Sequence, residues 1–259
     1  MRGPLARLNI DLAIALGWLT RLPTRFPDAA ADRKLAQALW AFPVVGAVLA
    51  AALAATFAAM VGLGANGLLA AAVAVALSVL LTGALHEDGL ADMLDGLGAR
   101  GGRDARLSAM RDSRIGTYGT LGLILFLLIR VAALSSLDVL DALAALLAAL
   151  ALGRAGMAVV MTRLPLARTD GAAAGAGKAG DSDMRKACAM GLLIALLASV
   201  AGGTPILQLL LAVALAVAVV LAMTEIARRN FGGYTGDVLG ATCMAVETTV
   251  LLAWSMGAG

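Results

Sequence analysis

The chain has 259 residues, 61% of them hydrophobic and only 14% charged, with a mean hydropathy of +0.91. That composition excludes an ordinary soluble domain and describes one polytopic integral membrane protein, an all-α helical bundle. The formal charge of +3 reports membrane topology, and nothing in it calls for nucleic acid.

The basic residues divide the chain. Residues 1–36 form a cytoplasmic or interfacial segment in which Arg2 and Arg7 precede an apolar run interrupted by Asp11. No small-residue cleavage site follows, so an uncleaved interfacial or re-entrant helix is expected rather than a signal peptide. Seven apolar stretches come next, near 37–61, 67–85, 118–136, 139–161, 187–202, 205–227 and 238–256. At 1.5 Å per residue they cross roughly 30 Å of hydrocarbon, the short ones with adjustment. Ala and Gly are abundant and aromatics make up 4%, so the spans must pack through small side chains.

Arg21, Arg25, Arg33 and Lys34 precede the first span. Arg100, Arg103, Arg106, Arg111 and Arg114 fill the second connection, Arg163, Arg168, Lys178, Arg185 and Lys186 the fourth, and Arg228 and Arg229 follow the sixth span. The turns at 62–66 and 202–204 carry none. By the positive-inside rule the protein is N-in, C-out with seven spans, and the segments 86–117 and 162–186 are cytoplasmic loops that carry the active site. Cys188 and Cys243 lack metal-ligand spacing and read as buried small residues.

Leu85–Gly98 reads LHEDGLADMLDGLG. Asp88, Asp92 and Asp95 are spaced i, i+4, i+7 and fall within roughly a 60° arc of one helical face. Carboxylates so close repel unless a cation lies between them, and hard oxygen donors suit Mg²⁺, which also binds substrate phosphates. The neighbouring Gly89, Ala91, Gly96 and Gly98 leave the backbone open to a bulky ligand. His86 reads either as a general base or as an interfacial, locally bonded histidine. Glu87 points roughly 100° away from Asp88 and is the weaker candidate.

RDSRIGTYG at 111–119 sets Arg111 and Arg114 around Asp112 and Ser113, with guanidinium forks that match phosphate oxygens. GAAAGAGKAG at 171–180 is not a P-loop, because Ala172 and Ala179 stand where Gly and Ser or Thr belong. It reads as a flexible loop over the site, offering Lys178 and Arg168 to phosphate. The FGGYTGD turn adds Tyr234 and Thr235 for substrate, with Asp237 beyond them. Arg130, Arg154 and Glu247 lie inside spans and must face the bundle interior. Arg154 and Glu247 share a depth of roughly 10–14 Å and are expected to pair, in a structural or substrate-facing role.

HEDGLADMLDGLG, then MRDSRIGTYG, then GGYTGDVLGA strongly resembles the cobalamin synthase family, the adenosylcobinamide-GDP ribazoletransferases. TRLP, FPVVG and LGR extend the resemblance over most of the chain. It implies a Mg²⁺-dependent enzyme of the bacterial inner membrane that joins adenosylcobinamide-GDP to α-ribazole or its 5′-phosphate and releases GMP. The family pattern HxDGLADxxDG falls on His86, Asp88, Gly89, Leu90, Ala91, Asp92, Asp95 and Gly96, with Glu87, Met93 and Leu94 departing from the usual residues. The carboxylates would hold the metal, Arg111 and Arg114 the nonbridging oxygens, and Asp112 and Asp237 would complete the metal shell or orient the hydroxyl. The expected surroundings are the lipid bilayer, with a homo-oligomer or other cobalamin-assembly enzymes as partners. The rival readings are a lipid-directed transferase of CDP-alcohol or prenyl type and a cation transporter. The longer CDP-alcohol pattern fails at Asp92, where Arg would stand, and a transporter would call for a pair of broken helices.

Overall fold

The computed structural model describes residues 4–24, 33–171 and 173–257. Arg2, Arg25 and Ala172 fall outside them. The described residues form ten α-helices and a 3-10 turn at Leu35–Ala41, with one isolated backbone bridge, Leu166 to Tyr234, in place of any sheet. The helices are α1 (Pro4–Leu19), α2 (Phe42–Gly62), α3 (Gly67–Thr82), α4 (Leu85–Gly98), α5 (Arg103–Ala109), α6 (Thr117–Ser135), α7 (Val139–Arg163), α8 (Asp181–Gly202), α9 (Ile206–Phe231) and α10 (Gly236–Ser255). Six of them are long and apolar enough to cross a membrane, α2 together with its 3-10 lead-in and α6 to α10. Counting the bent pair α3 and α4 as one more gives seven.

Helix α7 is the central post. More than half of its buried residues are alanine or glycine, and Ala145, Ala148, Ala149 and Ala158 are wholly buried among α2, α8 and α10. Lipid tails are as apolar as leucine, so close van der Waals approach between small residues holds such helices together. Gly67 packs on the end of α6 at Ser135, and Asp138, Gly203, Pro205 and Gly257 line one cavity, so the turns without Lys or Arg meet at one end of the bundle. At the other end the Arg-rich connections meet: Arg103 donates to the carbonyls of Ala167 (2.5 Å) and Phe231 (2.8 Å).

Two boundaries differ from the sequence reading. The span expected over 67–85 stops at Thr82, because Gly83 and Ala84 are both left-handed (φ +63° and +59°) and α4 leaves at 87° to α3. Glycine adopts that conformation freely, while Ala84 pays roughly 1–2 kcal/mol for it. One broken helix is therefore present among the described residues, although a transporter needs corresponding breaks in two halves. The loop expected to run to 186 ends at Gly180, since Asp181 and Asp183 favour the start of α8 and the Asp183 carboxylate accepts from the Gly180 amide at 3.2 Å.

Candidate active site

Turned off the end of α3, helix α4 lies across the first turns of α6 and α10 and belongs to no straight span. Asp88 is exposed there, and Asp92 and Asp95 are half-buried. Asp237, in the first turn of α10, joins them from across the gap. Its Oδ2 accepts from the Thr235 hydroxyl and from Arg168, each at 3.1 Å. Thr235 also caps α10 by accepting from the Val238 amide at 3.2 Å. Burial, and then the negative charges of Asp88, Asp237 and Asp95, push the Asp92 carboxyl up to about 7. Gly89 is not open to a ligand as expected: it is buried, and a side chain there would meet the Asp237 carbonyl at 2.8 Å. Its smallness brings α4 and α10 together.

The third carboxylate has a different setting. Asp95 accepts from the Gly116 amide at 2.6 Å and the Gly119 amide at 2.8 Å, one bond to each oxygen. It thereby caps the N-terminus of α6 from another helix, satisfying two orphan donors and placing negative charge at the positive end of the helix. A side chain at 119 would come within 2.5 Å of Asp95 Oδ2, so IGTYG needs its last glycine for this contact. The acid motif and the arginine motif are joined at this point.

Around the acids the charged loops interlock. Arg111 pairs with Asp170 at 2.9 Å, and Arg168 reaches both Asp237 (3.1 Å) and Asp170 (3.8 Å). Arg114 grips Asp112 with its own amide and its guanidinium, at 2.8 to 3.0 Å. Those bonds hold the Asp112 carboxyl down at about 2, which makes it a weak proton acceptor at neutral pH. Both pairs are solvent-screened and contribute little, so a phosphate can displace the carboxylates from Arg111 and Arg114. Ser113 is exposed between them. Arg103 and Arg106, which the sequence reading counted only as topological charge, tie α5 to the end of α9 through Phe231 and Asn230. Their signal in the sequence is faint, a pair of arginines one turn apart facing a glycine-terminated helix.

Other candidates stand apart from the acids. His86 is buried at the foot of α4, and its Nε2 has no partner among the described residues. Arg154 pairs with Glu247 at 2.6 Å, as their depths predict, and Arg130 takes the other oxygen at 2.9 Å. This triad is at least 97% buried at its side chains and presents nothing to a substrate outside the bundle. Lys178 is exposed and lines a separate cavity with Tyr234. Glu87, ranked low in the sequence, is buried with one oxygen unpartnered.

Residues 11–255 match the family model described as Cobalamin-5-phosphate synthase. The chain belongs to that family. Curated relatives from Bradyrhizobium diazoefficiens (41% identical, 95% of each chain covered) and Azorhizobium caulinodans (42% identical, 95% and 96% covered) are both named adenosylcobinamide-GDP ribazoletransferase. No solved structure matches the chain. Membership makes the chain a transferase of cobalamin synthesis and agrees with its membrane helices.

Among the described residues no three His, Cys, Asp or Glu side chains converge closely enough to form a metal cage. The donor set nevertheless fits Mg²⁺, which keeps several waters and is usually held by one or two carboxylates plus substrate phosphates. Asp88 and Asp92 are unbonded carboxylates on one face of α4, and the Asp92 carboxyl is raised first by burial and then by the neighbouring negative charges, which a cation would offset.

Proposed function

We propose that the protein joins adenosylcobinamide-GDP to α-ribazole or its 5′-phosphate, releasing GMP, at the acid cluster between α4 and α10. The observation that carries this reading is the meeting of Asp88, Asp92 and Asp237 with Arg168 and Arg111 at the one end of the bundle where the loops are charged. The acceptor hydroxyl oxygen bonds to the cobinamide-side phosphorus, the bond from that phosphorus to the bridging oxygen breaks, and GMP leaves with that oxygen. Asp237, oriented by Thr235 and Arg168, positions the hydroxyl and takes its proton. Arg111 and Arg114 exchange their carboxylate partners for the nonbridging oxygens, while Arg168 stays on Asp237. Asp88 and Asp92 would hold Mg²⁺, which when bound neutralises charge on the pyrophosphate. Asp95 keeps the arginine loop beside the acids by holding the start of α6.

A bacterial inner membrane with the charged end toward the cytoplasm suits this chemistry, because the arginine-rich loops collect at one end of the bundle and positive-inside bias would put that end in the cytoplasm. The test is product identity. Purified protein in vesicles, given adenosylcobinamide-GDP and α-ribazole, should yield GMP and the joined corrinoid in equal amounts. A lipid-linked product would support the lipid-directed transferase, and no product with cation uptake the transporter.

A further inference from the structure

At the charged end of the bundle, a cavity of about 410 Å³ opens between the last turn of α7, the 164–180 loop and the turn before α10. Met161, Leu164, Pro165, Leu166 and Tyr234 line it, and exposed Lys178 stands at its edge. Its walls are fixed. Tyr234 and the 165–167 segment exchange two backbone hydrogen bonds of 2.9 Å, and Ala36 holds the far side of the loop through the Ala176 carbonyl at 2.9 Å. Tyr234 is only 3% exposed, yet burial alone raises its phenol, with no described hydrogen bond or charge acting on it. Its hydroxyl makes no described hydrogen bond and is not among the fully buried polar atoms, so a ligand in the cavity can bond it.

Building on the proposed transfer reaction, we infer that this cavity receives the flat aromatic base of the acceptor nucleoside. Size and chemistry select that occupant from the three large groups in the reaction. The corrinoid is far too big for the space. Guanine carries donors and acceptors around its edge, and an apolar wall would leave most of them unpaired, which disfavours it strongly. A mostly apolar heterocycle needs only the flat walls, the Met161 thioether and the Tyr234 hydroxyl, the Thr162 hydroxyl being already committed to the Ala158 carbonyl. The place is also right. Tyr234 is three residues from Asp237, a reach of at most about 11 Å along the chain, which is close to the length of a nucleoside. Leu166 is likewise two residues from Arg168. The base would thus sit in the cavity while the ribose reaches the acids, and Lys178 would meet a 5′-phosphate on the acceptor.

Ala174, on the loop wall, provides the test. Ala174→Phe fills the cavity, and should raise KM for α-ribazole about tenfold or more while KM for adenosylcobinamide-GDP stays within about twofold. Equilibrium dialysis of labelled α-ribazole against the solubilised protein, with no donor present, should show binding to the wild type and its loss in the variant. If KM for the GDP donor rises instead, the cavity holds guanine and the inference is overturned. Unchanged α-ribazole binding overturns it too. Should Ala174→Phe not fold, Lys178→Ala reads the same site: it should weaken α-ribazole 5′-phosphate about tenfold and spare α-ribazole, and equal loss or no loss for both would contradict the placement. Failure of the wild type to release GMP while it still binds α-ribazole would instead count against the proposed reaction.

Discussion

Asp92, pushed up to about 7 by burial and its acidic neighbours, makes cation binding depend on pH with a definite sign. A proton and Mg²⁺ compete for the same oxygens, so affinity is full only well above pH 7, is about halved at pH 7, and approaches a tenfold loss per unit well below it. The Mg²⁺ concentration giving half-maximal rate should therefore rise about fivefold from pH 7 to pH 6, with the rate restored by excess Mg²⁺. A half-saturation point flat across that range would show that Asp92 is not a ligand. Asp95 should behave differently from its neighbours. Asp95→Asn turns one accepting oxygen into an amide that faces an N–H, and Gly119→Ala drives a methyl group against the same carboxylate. Both should loosen the start of α6 and raise KM for the GDP donor with little change in the Mg²⁺ requirement, whereas Asp88→Asn should raise the Mg²⁺ requirement. Equal Mg²⁺ shifts in the Asp88 and Asp95 variants would make Asp95 a metal ligand. The spacing of the three acids was legible in the sequence. The approach of another helix end to one of them was not, because it depends on the path of the 99–116 connection.

Helix α4 owes its placement to a two-residue left-handed break that no hydropathy pattern reports, since the apolar run simply continues into His86. The lengths of the apolar runs located the spans to within about six residues but could not show that the second is bent. At the start of α6, Arg111 presents a fork already aligned with Arg168 and Asp237 through Asp170. Arg111→Lys keeps the charge and loses the bidentate geometry, so the turnover number should fall by about 10²-fold, more than KM for the donor rises. Wild-type kinetics in the purified variant would make the arginine a topological anchor only. Below the site, α6, α7 and α10 are joined by Arg130, Arg154 and Glu247. Pairing of Arg154 with Glu247 followed from counting depth along two helices, while Arg130 entered only through the rotation of α6. Glu247→Gln leaves two buried guanidinium groups without a countercharge, a loss of roughly 3–5 kcal/mol. It should appear as a lower melting temperature in detergent, and an unchanged melt would mean that water or Glu87 compensates.

Across the whole molecule, the charged connections collect at one end and the bare turns at the other, as the alternation of basic residues along the chain implies. That separation was readable because lysine and arginine report topology directly. The interlocking of the loops was not, because pairs such as Arg111 with Asp170 and Arg103 with Ala167 join residues 59 and 64 positions apart. In a background lacking Cys188 and Cys243, cysteines at exposed Asp104 and Gly175 should label from the cytoplasm and one at Gly64 from outside. Labelling of Asp104→Cys from outside would reverse the orientation and place the site away from cytoplasmic substrates. The central claim, that the α4 and α10 acids use a divalent cation to transfer the corrinoid phosphate, is tested most directly by GMP release from adenosylcobinamide-GDP and α-ribazole as Mg²⁺ is titrated, wild type beside Asp92→Asn. Chelation should abolish release by the wild type and Mg²⁺ restore it, with turnover reduced by orders of magnitude in the folded variant. Equal, chelator-resistant release from both proteins would contradict that claim.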